Sequence, residues 1–182
     1  GRISVDLFAE QINTSFSQPQ TFHKSIGGSP TNVAVAAAKL GHKSAIVTKV
    51  GGDPLGEYVV NKLQSFGVNT DFVKVSESGL TPVVLASQDP PEDPKIIFHR
   101  QPFAPDTQLQ VGDLDSKTLH SAKIFWVSAC ALSQGPTAES IYNWLDQRGR
   151  AIHTIIDLDY RPSFWPHAAA AHPRPQRAKH PL

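Results

Sequence analysis

An α/β fold, with a mainly parallel sheet covered by helices, is the architecture this sequence predicts, and three observations predict it. Buried-strand patterns alternate with helical patterns over residues 1–67. The helices carry start and stop signals at their ends. The alternation resumes after residue 113 and runs to Asp157, the βα rhythm that parallel strands need because a crossover must join them.

In chain order, Ile3–Leu7 reads as a buried strand with Asp6 near its C-terminal end. Residues 11–21 are polar with little period and read as a loop, and Thr21–Ile26 is a short strand leading to Gly27 and Gly28. Ser29-Pro30 then opens a helix. Ser29 is expected to cap it, and Pro30 suits the first helical position because its missing N–H is no loss there. The helix is a small apolar run, Val33-Ala34-Val35-Ala36-Ala37-Ala38, able to pack close to a sheet, and Gly41 stops it. Ser44–Val50 is a second buried strand. Asp53-Pro54 opens a helix that reaches Phe66 and stops at Gly67, with Leu55, Val59, Val60, Leu63 and Phe66 at helical spacing.

From Asp71 to Arg100 the pattern changes. Phe72–Val75, Thr81–Leu85 and Lys95–Phe98 are short strands, separated by Gly79 and by the Asp-Pro-Pro-Glu-Asp-Pro run at 89–94. No helix lies between them, so antiparallel pairing is expected. Residues 113–121 suggest a short helix, Lys123–Ser128 a buried strand, Pro136–Arg148 a helix followed by Gly149, and Ala151–Ile156 a strand ending in Asp157.

Composition narrows the function classes. The 182 residues are 40% hydrophobic, enough for one domain with a core, and contain no apolar run long enough to span a bilayer and no signal-peptide pattern. The single Cys130 allows no internal disulfide framework, suits a reducing cytosol, and reads as a buried inert thiol in its apolar context. No Cys/His cluster has zinc spacing, so no metal ligands are expected. All sixteen acidic residues precede position 167 and face fourteen Lys and Arg there, a net charge of −2, so no nucleic-acid surface is expected.

The chemistry-bearing stretch is Gly27-Gly28-Ser29-Pro30-Thr31-Asn32. Asn32 lies in the first helical turn, where backbone N–H groups attract electronegative ligand atoms, and glycines let a ligand approach the backbone. Taken alone, the stretch is either a polyol or anion cradle or an ordinary turn into a core helix. Asp6 is either a ligand group at a strand end or a turn residue. Arg100 is either a ligand contact or a solvated charge on a strand edge. Asp157, Asp159 and Arg161 follow a strand; Arg161 suits a phosphate or carboxylate, or forms a structural pair with an Asp.

The spacing Gly-Gly-x-Pro-x-Asn-x-Ala, with Gly41 and Gly51 behind it, resembles the first signature of the ribokinase-like sugar kinases, the phosphofructokinase-B family. The flanks Gly1–Leu7, Phe22–Ile26, Ile97–Arg100 and Asp157–Trp165 resemble one branch of it, the 5-dehydro-2-deoxygluconokinases. The resemblance covers roughly residues 1–165. It implies a three-layer α/β/α fold with a small β lid, formed by strands within about 14–26 and 71–100, in a kinase domain whose N-terminal part is residues 1–166. It implies ATP-dependent phosphorylation of a sugar acid, 5-dehydro-2-deoxygluconate in inositol breakdown, with ATP and Mg2+, in the cytoplasm. Asp6, Gly27, Gly28, Asn32 and Arg100 would bind the substrate, Arg100 from the lid. Asp157, Asp159 and Arg161 would lie between substrate and nucleotide phosphate, although Asp159 stands where many relatives have Asn. A homodimer through the lid is expected of the full-length protein.

Parts of the family pattern are absent. The expected base, the Asp of a Gly-Ala-Gly-Asp turn, and the metal-associated Asn-x-x-Glu motif do not occur, nor does a Walker loop. Gly51-Gly52-Asp53-Pro54 imitates the turn but lies where the family has a separate segment, so Asp53 is not read as the base. Residues 167–182 hold four consecutive Ala, three Pro and three His without an acid, and read as a disordered low-complexity tail. The chain has no Met and opens within a strand pattern. These features lead to the expectation that its natural beginning and its C-terminal half are missing and that the chain as given is inactive. Alternatives are a non-catalytic sugar-binding module or a kinase for 2-keto-3-deoxygluconate or fructose. A dinucleotide-binding domain is disfavoured, because no Gly-x-Gly-x-x-Gly follows the first strand.

Overall fold

The computed structural model describes residues 1–100, 103–150 and 153–165. It has the expected α/β class. Strands β1 (Ser4–Ile12) and β2 (Phe22–Gly27) precede helix α1 (Ser29–Lys39); β3 (Thr48–Gly51), α2 (Pro54–Ser65) and β4 (Val73–Ser76) follow. After β5 (Val83–Gln88) and β6 (Ile96–His99) come α3 (Ser116–Ser121), β7 (Ile124–Ser128), α4 (Gly135–Arg148) and β8 (His153–Asp157). Four strands form one sheet in the order β2-β1-β5-β6, with β1 and β5 parallel and the outer pairs antiparallel. The pairs β3–β4 and β7–β8 are parallel.

Local chemistry explains the helices. In α2 the Asp53 carboxylate accepts hydrogen bonds from the Leu55 and Gly56 amides, both at 2.9 Å, an N-cap that ties down two otherwise unpaired donors. At the end of α1, His42 donates to the Ala37 carbonyl and Gly41, at φ 83°, donates to Ala38. This is a Schellman stop that requires the left-handed conformation.

Several expectations change. β1 runs on to Ile12, into residues read as loop. The predicted strand over 44–50 shortens to Thr48–Gly51, with Ala45 making only an isolated bridge to Asn69. Its partner is turning there, since Val73 donates back to the Thr70 carbonyl. β4 pairs in parallel with β3 rather than antiparallel with its successor. The physical reason is α2, which lies between β3 and β4 as a crossover; antiparallel pairing holds for β5 and β6, which only a turn joins. The strand expected to be buried at 123–128 exposes Ile124, its partner β8 exposes Ile155 and Ile156, and Leu158 and Tyr160 beyond β8 are exposed as well. Among the described residues β8 has a partner, β7, along only one edge. Ala151, where the last predicted strand starts, and the tail at 167–182 lie outside the described residues.

One apolar cluster joins β1 to the first two helices through Ile3, Val5, Ala34, Val50, Val59 and Leu63. A second packs α3, β7 and α4 around Leu119, Val127, Ile141 and Trp144. Side chains alternate along a strand. With Ile3 and Val5 in the core, the other face of the β1 segment carries Arg2, Ser4 and Asp6.

Candidate functional site

On that second face the Ser4 hydroxyl donates to Asp6 Oδ1 at 2.6 Å. Burial lifts the Asp6 carboxyl above its ordinary range, while the Ser4 hydrogen bond and the Arg100 charge pull it back. Asp6 lies opposite Ser25 of β2, and Gly27 lies opposite Ser4. A Cβ on Gly27 would sit 1.9 Å from Asp6 Oδ2, so the carboxylate occupies the space that a side chain at 27 would need. Gly28 has φ 104°, and a Cβ there would meet the Arg2 carbonyl oxygen at 2.5 Å. The two glycines therefore have different causes: one makes room for Asp6, the other lets the chain turn tightly over β1 into α1.

Ser29 does not cap α1. Gly28 occupies the cap position and offers no side chain, and Ser29 is the first helical residue. The Ser29 hydroxyl instead donates to Asp157 Oδ2 at 3.5 Å, across 128 residues of chain. Asn32 follows Ser29 by three positions and so shares its face of the helix. It is exposed, and its side chain has no hydrogen-bond partner among the described residues. The start of α1 and the end of β8 thus meet.

Beyond β8 the Asp159 amide donates to Asp157 Oδ1 at 3.2 Å. Asp159 Oδ2 accepts from the Ser128 hydroxyl at 3.4 Å. The Cys130 thiol donates to the Asp159 carbonyl at 2.6 Å; burial raises this thiol's pKa, and the Asp159 charge raises it further. Arg161 Nε lies 3.2 Å from Asp159 Oδ1 while its side chain is 59% exposed. Its outer nitrogens have no hydrogen-bond partner among the described residues.

Arg100 is neither a solvated edge charge nor a free arm. Its side chain is 9% exposed and ion-paired with Asp106, and it donates to the Ile3 carbonyl at 3.3 Å. Asp106 is fully buried and also accepts from the Ile3 amide at 2.8 Å. Arg2 completes the group. Its Nε and Nη2 donate to the Cys130 carbonyl at 3.2 and 3.0 Å, and Nη2 also donates to Ser133 Oγ at 2.7 Å. Nη1 stands 3.9 Å from Asp106 Oδ1. Burial lowers the Arg2 pKa, Asp106 opposing and the Arg100 charge adding to it. The Phe164 ring covers both guanidiniums, 4.9 Å from Arg2 Cζ and 5.7 Å from Arg100 Cζ, and packs edge-on against Phe98 at 5.0 Å. Sequence reasoning missed Arg2, Asp106 and Phe164. The period-two spacing of Arg2 with Asp6 was a readable signal for the first; nothing local marked Asp106.

Asp53 has the geometry of a structural group. Besides its two capping bonds it accepts from the Thr81 amide at 2.7 Å. Burial alone would raise its pKa, but these backbone donors together hold it below the ordinary value. Among the described residues no group of three or more His, Cys, Asp or Glu gathers as a metal site, and no helix is long and apolar enough to cross a membrane.

Known proteins share both the sequence pattern and this fold. The profile of a family described as pfkB family carbohydrate kinase matches residues 1–178. The 5-dehydro-2-deoxygluconokinase of Geobacillus kaustophilus (strain HTA426) is 34% identical over 167 residues, an alignment covering 91% of this chain and 50% of that protein. The crystal structure of a sugar kinase from Pyrococcus horikoshii in complex with ATP superposes with a TM-score of 0.82 at 25% identity, covering 91% of this chain and 53% of that one. Fructokinase from Xylella fastidiosa gives a TM-score of 0.82 at 26% identity, covering 93% and 54%. The chain spans about half the length of the curated relatives it matches.

Proposed function

The chain belongs to the pfkB family of carbohydrate kinases, and from that premise we propose that it builds the acceptor side of an ATP-dependent sugar-acid kinase acting on 5-dehydro-2-deoxygluconate in inositol breakdown. The observation that carries this reading is the contact between Ser29 and Asp157. It joins the Asp6–Gly27–Gly28–Asn32 cradle to the Asp157–Asp159–Arg161 segment, as a phosphoryl transfer requires and a plain binding module does not. Asp6 and Asn32 hold sugar hydroxyls; Gly27 serves the substrate by giving Asp6 its space, and Gly28 by turning the chain into α1. Arg100 contributes positive charge through its fixed place beside Asp106. Arg161, whose outer nitrogens have no partner among the described residues, favours phosphate oxygens.

ATP with Mg2+ is the donor in this reading: it supplies the γ-phosphoryl group, and the cation neutralises phosphate charge. Arg161 and the first turn of α1 fit a phosphate. The described residues offer no trio for the cation, so no step runs through it. The acceptor's base is not assigned to these residues either. Asp53 is held in its charged form by the backbone donors of its cap and by Thr81, Asp157 and Asp159 accept hydrogen bonds from Ser29, the Asp159 amide and Ser128, and Asp6 is assigned to binding. β2, β5 and β6, joined through β1, form the lid, and the exposed Ile96 and Ile97 of β6 support a homodimer through it. A lone Cys130 thiol supports a cytoplasmic setting.

The test is calorimetric titration of the 182-residue chain with 5-dehydro-2-deoxygluconate, with and without ATP, beside a coupled assay with ATP and magnesium. We expect ATP-independent binding of the sugar acid and no turnover. Absence of binding would overturn the substrate assignment. Turnover would show that one of the carboxylates with a structural or substrate-binding role in this reading is the base.

A further inference from the structure

Two guanidiniums meet one carboxylate beside the cradle. Asp106 is the only carboxylate within ion-pair distance of either Arg2 or Arg100 among the described residues. Its Oδ1 accepts from Arg100 and stands 3.9 Å from Arg2 Nη1, which is buried and has no hydrogen-bond partner among the described residues. Arg2 as a whole is 5% exposed. A buried charged donor without an acceptor is costly, so its retention calls for a partner. The ring face of Phe164 lies against both guanidinium carbons, a contact that a ligand approaching the pair from that side must displace. A ring face carries the negative side of an aromatic quadrupole, the weak counterpart of an anion.

The location fits the acid end of a sugar acid. Arg2 shares a face of its strand with Asp6. Asp6 pairs across β1–β5 with Val84, which pairs with Phe98 on β6, so these side chains share one face of the sheet. Phe98 touches the same Phe164 ring. The guanidinium pair therefore lies on the face that holds the sugar-binding carboxylate, and a planar carboxylate matches the guanidinium fork.

We propose that Arg2 and Arg100 form a carboxylate-binding pair at the acid end of the cleft, with Asp106 as their shared internal counter-charge and Phe164 as the placeholder that an incoming carboxylate displaces; the inference rests on the sugar-acid reading above. The experiment titrates the chain with 5-dehydro-2-deoxygluconate and with its uncharged carboxamide. The unaltered chain binds the acid about tenfold more tightly than the amide, the worth of one charge-assisted hydrogen bond. Arg2→Met, which keeps the side-chain length, brings the two affinities within about threefold. Phe164→Ala removes the competing ring and raises the acid affinity about threefold with the amide unchanged. An acid preference that survives Arg2→Met in a chain with unaltered circular dichroism overturns the inference. So does an unchanged acid-to-amide ratio in Phe164→Ala, which decides the matter alone if Arg2→Met does not fold. Equal binding of acid and amide by the unaltered chain also overturns it, and leaves the cradle standing. Binding of neither ligand overturns the sugar-acid reading as well.

Discussion

Gly27→Ala tests whether the glycine exists to make room for Asp6. The added methyl would lie 1.9 Å from Asp6 Oδ2, 2.4 Å from Cγ and 2.6 Å from Oδ1. No pair of non-bonded heavy atoms tolerates such distances. The backbone has little freedom to yield, because Ser4 pairs with Gly27 and Asp6 with Ser25 in one continuous ladder. The carboxylate must turn away and give up its 2.6 Å bond from Ser4. That bond contributes about 1 kcal/mol, and overpacking costs about 1–3 kcal/mol. Alanine also restricts the unfolded chain, which offsets about 0.4–1 kcal/mol. The net expected loss is about 1–3 kcal/mol of stability, together with most of the sugar-acid affinity. The sharper test is the same change in an Asp6→Ala background. There the clashing group is gone, and Gly27→Ala becomes neutral or stabilising by up to about 1 kcal/mol. Denaturant unfolding of the four proteins closes the cycle, with an expected coupling of about 2–3 kcal/mol. An equal cost of Gly27→Ala in both backgrounds would refute the steric argument.

Three further outcomes are expected. Asp6 has a folded pKa raised by burial above its ordinary 3.8; its contribution to stability is full below the unfolded value and is lost as pH rises through the folded one. Asp6→Asn therefore gains stability relative to the parent as pH rises from the ordinary 3.8 through the raised folded value, read from denaturant midpoints, and a constant difference would exclude the burial argument. Asp53 titrates with the opposite sign: its pKa lies below 3.8, so its contribution is present above the unfolded value and fades as pH falls through the folded one. Asp53→Ala should cost about 1–2 kcal/mol at neutral pH through the lost helix cap, and a chain that unfolds at an unchanged denaturant concentration would show the cap to be idle. Arg100→Lys replaces a fork that reaches Asp106 and the Ile3 carbonyl together with a single ammonium. It should weaken the sugar acid more than fructose in parallel titrations, and equal losses would remove Arg100 from carboxylate recognition.

The sequence alone determined the α/β class, the bounds of α2 and α4 to within about a residue or two, the glycine stop after α1, and the family signature around Asn32. Each of these is written in short-range patterns: periodicity, a capping Asp, a Pro followed by a Gly. A helix end is decided within one turn of chain, so a reader of the chain can see it. Ser29 shows the limit of local reasoning, for a residue with good capping chemistry gave the cap position to Gly28 and turned to Asp157, 128 residues away. β4 paired in parallel because of a helix rather than antiparallel because of its neighbour. Arg100, read as a contact from a lid, is held by Asp106, a residue with no sequence signal, whose other partner, the Ile3 amide, lies 103 positions away. Arg2 and Phe164, at opposite ends of the described chain, stack on one another. Buried charges are satisfied by whatever the packing brings within about 3 Å, and only the completed tertiary structure decides which groups those are.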